Sequence, residues 1–279
     1  MNTKGVVIVT PAGRERYLRL LHEHLARQRA DFDRWQLWLN THVASDVQYI
    51  ESLGQTCDWI DVIRPDEPVT SVDSNNIHQF FRFAREPETV YIRLDDDVVY
   101  LCPGFVKTLS AFRRENPRPF LVFGNIINNA VVSHIHQRNM VFEYPNAKCG
   151  YGCMDNVGWK DPHLAHSLHD AFLKDLEKGS ADDWKRSFRA WHLWDYERVS
   201  INCISWLGSD MPEHVAKDEE KFLAVEHPKS IGRPNVILGA AVCAHFGFYT
   251  QRAHLDATDV LQRYSDFAAA THKVNSDES

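Results

Sequence analysis

The sequence predicts an α/β fold in which a mostly parallel central sheet is flanked by helices and followed by an elaborated C-terminal half. Three observations support this. Apolar, β-branched runs alternate with amphipathic stretches over the first hundred residues. The 279 residues, 44% of them hydrophobic, suffice to bury a sizeable core. The last of the early apolar runs ends in three consecutive aspartates, which places polar chemistry at the end of a strand.

The first half is predicted as repeated strand and helix pairs. Residues 5–9 form a continuous apolar run of the kind that a strand buried on both faces needs. Leu18, Leu21 and Leu25 then recur at helical spacing within an amphipathic stretch over residues 14–30. The further elements of this half are strands at 35–39, 59–63 and 89–94 and helices at 47–53 and 75–85.

In the second half the alternation of strands and helices is less regular, and the secondary structure of residues 126–137 and 141–144 is ambiguous. Glycines and cysteines predict a loop over residues 146–159. The clearer elements are helices at 105–114, 164–177, 182–191 and 256–270 and strands at 120–124 and 236–244.

Charge and cysteine content exclude several classes of protein. Lys and Arg number 31 against 38 Asp and Glu, a formal charge of −7, so no nucleic acid is expected as a partner. The six cysteines include no CxxC pair, which predicts reduced thiols rather than a disulfide framework or a zinc knuckle. The longest uncharged apolar run, 236–244, is too short to span a bilayer. We therefore expect a cytoplasmic protein without a transmembrane segment and with at most a peripheral membrane contact.

The acidic triplet Asp95, Asp96 and Asp97 is the strongest functional signal. It follows an apolar strand, and ligands of open α/β sheets bind just beyond the carboxyl ends of strands. Adjacent carboxylates repel one another, and hard cations such as Mg²⁺ or Mn²⁺ relieve that repulsion. The alternative is a solvated acidic turn.

At this triplet the chain resembles the nucleotide-sugar-dependent glycosyltransferases of the Rossmann-like GT-A fold. The resemblance covers about the first 125 residues and a segment near 210–250. It implies that Asp95 and Asp97 hold a divalent cation against the diphosphate of the donor. His245, after a late strand, matches the histidine that often completes this coordination, which favours Mn²⁺ over Mg²⁺. The alternative for His245 is a hydrogen-bonded core histidine.

The resemblance also implies a general base. In inverting members of the family, an acidic pair at the start of a helix supplies it. Asp218 and Glu219 match it, and Glu220 is a third candidate for the same two places. Acidic residues favour the first turn of any helix through its dipole, so a purely structural role is the alternative.

Donor contacts are expected around the first strand, ahead of the triplet and in the loop before the late strand. The residues predicted to contact the nucleotide-sugar are Thr10, Pro11, Arg14, Asp73, Arg93, Asp95, Asp96 and Arg233. The aromatic segment 191–196 is a candidate for stacking on acceptor sugar rings, although core packing explains most of its tryptophans equally well.

Together these features predict a metal-dependent glycosyltransferase that uses Mn²⁺ (or Mg²⁺). It would move a sugar from a nucleotide-sugar to a hydroxyl of a carbohydrate or glycoconjugate acceptor, as in polysaccharide biosynthesis. Residues 1–272 would form one domain, with a nucleotide-sugar-binding half at 1–125, an acceptor-binding half at 126–272 and a frayed tail at 273–279.

Two alternatives remain open. One is a sugar-phosphate nucleotidyltransferase, which also uses Mg²⁺ but normally carries a glycine-rich basic loop that residues 10–14 lack. The other is a non-catalytic carbohydrate-binding protein of the same fold. Nucleotide binding that depends on metal separates the enzymes from the binding protein.

Overall fold

A computed structural model describes residues 5–66, 69 and 76–277 of the chain. Nine strands in this part join one sheet. They are β1 (Val6–Ala12), β2 (Arg34–Leu39), β3 (Ile60–Ile63), β4 (Val90–Leu94), β5 (Val98–Leu101), β6 (Val122–Ile127), β7 (Ala190–Leu193), β8 (Cys203–Leu207) and β9 (Asn235–His245).

Eleven helical segments surround the sheet in the described ranges. They are α1 (Glu15–Arg27), α2 (Ala44–Thr56), α3 (Ile77–Phe80), α4 (Phe105–Glu115), α5 (Ala130–Arg138), α6 (Pro162–Lys178), α7 (Asp182–Arg186), α8 (Glu219–Lys221), α9 (His227–Ser230), α10 (Tyr249–Leu255) and α11 (Val260–Asp277). None of those described is both long enough and apolar enough to cross a bilayer.

The strand order is β3-β2-β1-β4-β8-β6-β9-β5, and β7 pairs with the first part of β9, residues 235–238, on the side away from β6. Strands β1 to β4 pair in parallel, and the pairings through β8 to β6 and β9 make those two strands run the same way. Six of the nine described strands therefore end at one edge of the sheet, called here the carboxyl edge; the opposite edge is the amino edge. The predicted α/β class with a mostly parallel, Rossmann-like sheet is confirmed.

Burial in the core agrees with the apolar patterns of the sequence. Leu18, Leu21 and Leu25 of α1 are fully buried, as their spacing predicts. Trp35 and Trp38 of β2 are equally buried, so this strand is apolar on both faces, as the strands of a parallel sheet covered by helices are.

One prediction in the second half is wrong, and one strand was not predicted. The helix expected over 182–191 ends at Arg186, and the chain then enters β7, which pairs antiparallel with β9. Strand β8 was missed altogether, although it lies between β4 and β6 with Cys203 to Trp206 buried. Both strands are stabilised by pairing with strands that are distant in sequence. Local periodicity of the sequence carries no information about such pairing.

The helix that follows the acidic segment at 218–220 is interrupted by a π-helical stretch, Phe222–Glu226, between α8 and α9. Pro228 has no N–H to donate to the carbonyl four residues earlier, that of Ala224. The Asn235 amide donates to that carbonyl at 3.0 Å instead. The proline thus accounts for the unsatisfied carbonyl, and the first residue of β9 supplies the missing donor.

Candidate functional site

A pocket of about 370 Å³ opens at the carboxyl ends of β1, β2 and β4. This volume falls within the usual range of small-molecule sites. The pocket, called here the carboxyl-edge pocket, is lined by Pro11, Gly13, Arg14, Asn40, Thr41, His42, Val43, Asp46, Val69, Ile77, Arg93, Asp95, Asp96 and Arg252. Larger hollows occur elsewhere on the surface, but this one is lined by Asp95 and Asp96 of the acidic triplet.

Asp95 is the most exposed carboxylate of the triplet, with 21% of its side chain accessible. Arg93 donates to its Oδ1 from Nη2 at 2.8 Å and from Nε at 3.1 Å. Asn202, just before β8, donates to Oδ2 at 3.1 Å. Arg93 of β4 and Asn202, which precedes β8, thus fix the orientation of the first carboxylate together.

Asp96 is buried and turned towards α1. Its carboxylate forms an ion pair with the Arg14 guanidinium, and it accepts from the Gly13 N–H at 2.9 Å. Burial raises the pKa of Asp96 against the opposing effect of Arg14. For Arg14, burial alone would lower the pKa, but the Asp96 and Asp97 carboxylates raise it. Arg14 is therefore a permanent cation on the wall of the pocket.

Asp97 is the most buried of the three, at 1% exposure, and two arginines and a histidine meet at its Oδ2. Arg14 and Arg252 each lie at 3.0 Å and His245 Nε2 at 3.5 Å. Burial alone would raise the pKa of Asp97, but Arg14, His245 and Arg252 together hold it below its ordinary value. Its Oδ1 has no hydrogen-bond partner among the described residues.

His245 is held by the end of β6. The Asn128 carbonyl can only accept, so His245 Nδ1 donates to it, at 3.0 Å, and Nε2 is left facing Asp97. Burial opposes the imidazolium, but the Asp97 carboxylate raises the pKa of His245. Asn128 takes a left-handed backbone, φ 64°, which asparagine tolerates better than most residues.

The predicted metal triad is not assembled. Asp97 and His245 are neighbours, but Asp95 is turned to Arg93 and Asn202. Within the described ranges no three His, Cys, Asp or Glu side chains converge on a metal position. The two arginines at Asp97 also repel a divalent cation there. Asp95, by contrast, suits Mg²⁺, which proteins usually hold through one or two carboxylates together with substrate phosphates.

The predicted general bases lie in a second, open hollow lined by Arg198, Lys217, Asp218, Glu219 and Glu220. Asp218 caps α8 and pairs with Arg198 at 3.1 Å. Glu220 pairs with the same arginine at 2.8 Å, whereas Glu219 is 93% buried. Asp218 and Glu220 are therefore both engaged by one cation.

A line of buried polar side chains joins this hollow to the triplet. Asn129 donates to the Asn202 Oδ1 at 3.2 Å and to the Ser200 carbonyl at 3.1 Å. The Cys153 thiol lies 3.1 Å from Ser200 Oγ and 3.2 Å from Glu220 Oε1. Burial raises the pKa of Cys153 to about 12, so the thiol in this line stays protonated.

Other predicted donor contacts are placed differently. Pro11 lines the pocket, but Thr10 is fully buried and accepts from the Trp35 indole at 2.9 Å. Arg233 lies before β9, hence at the amino edge, where it pairs with Asp210 at 2.7 Å. Asp73 lies outside the described residues.

Sequence analysis missed Arg252 and the residues at the end of β2. Arg252 reaches the triplet from α10, a helix that was not predicted, and no local pattern marked it. Asn40 and His42 line the pocket directly after β2, so the rule that ligands bind at the carboxyl ends of strands would have found them. Asn40 Oδ1 is buried without a partner in the described structure.

Comparisons with known proteins give only distant structural similarity. No family model and no curated protein matches the chain. One solved structure is CMP:2-keto-3-deoxy-manno-octonic acid synthetase complexed with CTP, at 13% identity and TM-score 0.45, covering 96% of this chain and 99% of that one. Another is 4-diphosphocytidyl-2C-methyl-D-erythritol synthase from Anaerococcus prevotii, at 15% identity and TM-score 0.30, covering 43% of this chain and 53% of that one.

These findings correct the predicted function. Neither of these proteins is named as a glycosyltransferase, and the predicted metal-dependent glycosyltransferase is wrong as the primary assignment. The geometry also disagrees with the predicted metal site. Asp97 and His245 lie together, but Asp95 is turned away from them towards Arg93. The preference for Mn²⁺ loses its basis with the triad.

Proposed function

We propose that the chain is a nucleotidyltransferase that binds a nucleoside triphosphate in the carboxyl-edge pocket and transfers the nucleotidyl group to a sugar phosphate or related sugar acid. The observation that carries the proposal is the convergence of Arg14, Arg93 and Arg252 on one pocket at the carboxyl ends of parallel strands. Three arginines from β4, α10 and the start of α1 suit the oxygens of a polyphosphate.

The balance of charge in the pocket supports a phosphate ligand. The aspartates hold the arginines in place, and Arg14 and Arg252 are 31% and 27% exposed. Phosphate oxygens can therefore reach both guanidinium groups without unfolding the site. Residues 10–14 lack a glycine-rich basic loop, but Arg14 together with Arg93 and Arg252 of other elements would supply the positive charge.

The reaction would be an in-line displacement at the α-phosphorus. An anionic oxygen of the sugar substrate forms the new P–O bond, the bond to the β-phosphate breaks, and pyrophosphate leaves with its electron pair. Arg14 and Arg252 would stabilise the charge that develops on pyrophosphate. Mg²⁺ brought with the triphosphate, with Asp95 as a protein ligand, would add electrophilic stabilisation.

Calorimetric titration of the full chain with each of the four ribonucleoside triphosphates and Mg²⁺ tests the binding step. We expect Arg252→Gln to weaken the binding of the preferred nucleotide by about tenfold to a hundredfold, the value of a charge-assisted hydrogen bond. Asp97 keeps Arg14 and His245 as partners, so the fold should survive.

Arg263→Gln is the matched control, because Arg263 pairs with Asp170 and Glu177 away from the pocket. Pyrophosphate release on addition of sugar phosphates then tests catalysis. If no triphosphate binds to the folded protein, the proposed function is overturned. If a triphosphate binds but no sugar phosphate or sugar acid releases pyrophosphate, the nucleotidyl transfer step is overturned and only nucleotide binding remains.

A further inference from the structure

A groove at the amino edge is independent of the carboxyl-edge pocket and carries a different chemistry. It has a volume of about 730 Å³. Its lining consists of Pro117, Arg118, Pro119, His192, Trp194, Gly232, Arg233 and Pro234, and it is called here the Trp194 groove. Strand β7 brings His192 opposite Val236 at the start of β9. His192 and Trp194 therefore lie beside residues 232–234, which precede β9.

Trp194 is the distinctive side chain of the groove. It is 66% exposed, whereas Trp184 and Trp206 are fully buried. Its ring stacks on the His192 imidazole with 4.7 Å between centroids and 14° between planes. The imidazole covers one face of the indole and fixes its orientation, so the other face is a supported flat apolar surface.

The walls of the groove are rigid. Arg233 donates to the carbonyls of Pro117, Arg118 and Pro119 at 2.8, 3.1 and 3.1 Å, and both oxygens of Asp210 accept from it. Prolines have a fixed φ and little side-chain freedom to lose. A ligand entering here therefore meets a surface that is ordered before binding, which lowers the entropic cost.

The charge of the groove selects the kind of ligand. Its lining contains two arginines and no carboxylate. Arg233 is neutralised by Asp210, while the exposed Arg118 side chain forms no ion pair with any residue that the structure describes. One uncompensated guanidinium beside a flat aromatic face suits a ring that is apolar on one side and anionic at its rim.

We propose that the Trp194 groove is a second, non-catalytic binding site for an anionic saccharide. A pyranose ring bearing a carboxylate would stack its C–H face on Trp194 and pair its carboxylate with Arg118. Because the groove lies at the opposite edge of the sheet from the carboxyl-edge pocket, this binding goes beyond the proposed function and does not depend on it.

The test uses trigalacturonate as the probe and saturation-transfer NMR with the full chain. We expect saturable binding that weakens with added salt, because one contact is between charges. Trp194→Ala should abolish it, and Arg118→Gln should weaken it on the order of tenfold. Maltotriose, which lacks carboxylates, should bind more weakly than trigalacturonate.

Met140→Ala and Arg16→Gln are the controls, since both residues are exposed and lie outside the groove. Thermal melting and triphosphate titration should be unchanged in Trp194→Ala, which separates loss of the groove from loss of the fold or of the carboxyl-edge pocket. Absence of saturable binding, binding that survives Trp194→Ala, or preferential binding of a proline decamer would each overturn the proposal.

Discussion

The two edges of the sheet both carry arginine and aspartate clusters, but their polar groups are satisfied in different ways. At the amino edge, Arg233 combines both oxygens of Asp210 with three backbone carbonyls. At the carboxyl edge, Arg14 and Arg252 crowd around Asp97, whose Oδ1 has no partner in the described structure.

Unsatisfied atoms mark the difference. Arg93 Nη1 and Arg252 Nε at the carboxyl edge are buried without partners among the described residues, and Asn40 Oδ1 is too. At the amino edge, Arg113 Nε shares this property, but each nitrogen of the Arg233 guanidinium has a hydrogen-bond partner. An arginine that binds backbone carbonyls holds loops together, whereas arginines with spare donors around a pocket are available to a ligand.

The largest expected effect compares the two aspartates. Asp97→Asn should lower the free energy of unfolding by about 3–5 kcal/mol, because it removes the buried anion that Arg14, Arg252 and His245 share. Asp210→Asn should cost about 1–2 kcal/mol, since Asp210 is 14% exposed and Arg233 keeps its carbonyl partners. Urea unfolding of both variants at pH 7 measures this. Equal losses in the free energy of unfolding would show that the two clusters stabilise the fold to the same extent.

Acid sensitivity should also differ between the edges. At the carboxyl edge, His169 donates to the Phe246 carbonyl from Nε2, and burial lowers its pKa to about 3. Between pH 6.5 and 3 the unfolded state binds a proton that the folded state does not, so stability falls as the pH falls. From pH 6.5 to 4.5 this amounts to about 2–3 kcal/mol.

His169→Gln should remove that part of the pH dependence while retaining a donor for Phe246. At the amino edge, His227 is only half-buried and burial lowers its pKa less, so His227→Gln should change the slope less. Urea unfolding of both variants at pH 6.5 and 4.5 gives the two slopes. The other buried histidines are present in every variant and cancel. If His169→Gln left the dependence of stability on pH unchanged, the lowered pKa of His169 would be contradicted.

The smallest effect concerns two residues with the same backbone conformation. Asn128 at the carboxyl edge and Gly232 at the amino edge both have φ of 64°. Gly232→Asn should change stability by less than about 1 kcal/mol, because asparagine tolerates this region and nothing lies within 4 Å of the new Cβ.

Asn128→Gly should cost about 1 kcal/mol, because the lost amide bonds to the Phe246 carbonyl and to Gln251 outweigh the easier backbone. Chemical unfolding of each variant against the parent decides the order. If Gly232→Asn proves the more harmful change, the contrast between the two edges is weakened here.

The predictions from sequence succeeded where local spacing determines structure. The helix of Leu18, Leu21 and Leu25 and the strand before it were found because their apolar positions repeat within a few residues. They failed for β7 and β8, whose partners β9, β4 and β6 are distant in the chain. The aromatic segment 191–196 was expected at the acceptor site, yet β7 carries Trp194 to the opposite edge.

The sequence by itself determined that Asp95, Asp96 and Asp97 end a buried strand, because one apolar run followed by three carboxylates has few other structural solutions. Only the tertiary structure decided what surrounds them. Arg252 meets Asp97 across 155 positions of the chain, and Asn202 meets Asp95 across 107. The order of strands sets such contacts, so each carboxylate of an apparently uniform motif has its own set of partners, and the pKa values of Asp96 and Asp97 shift in opposite directions.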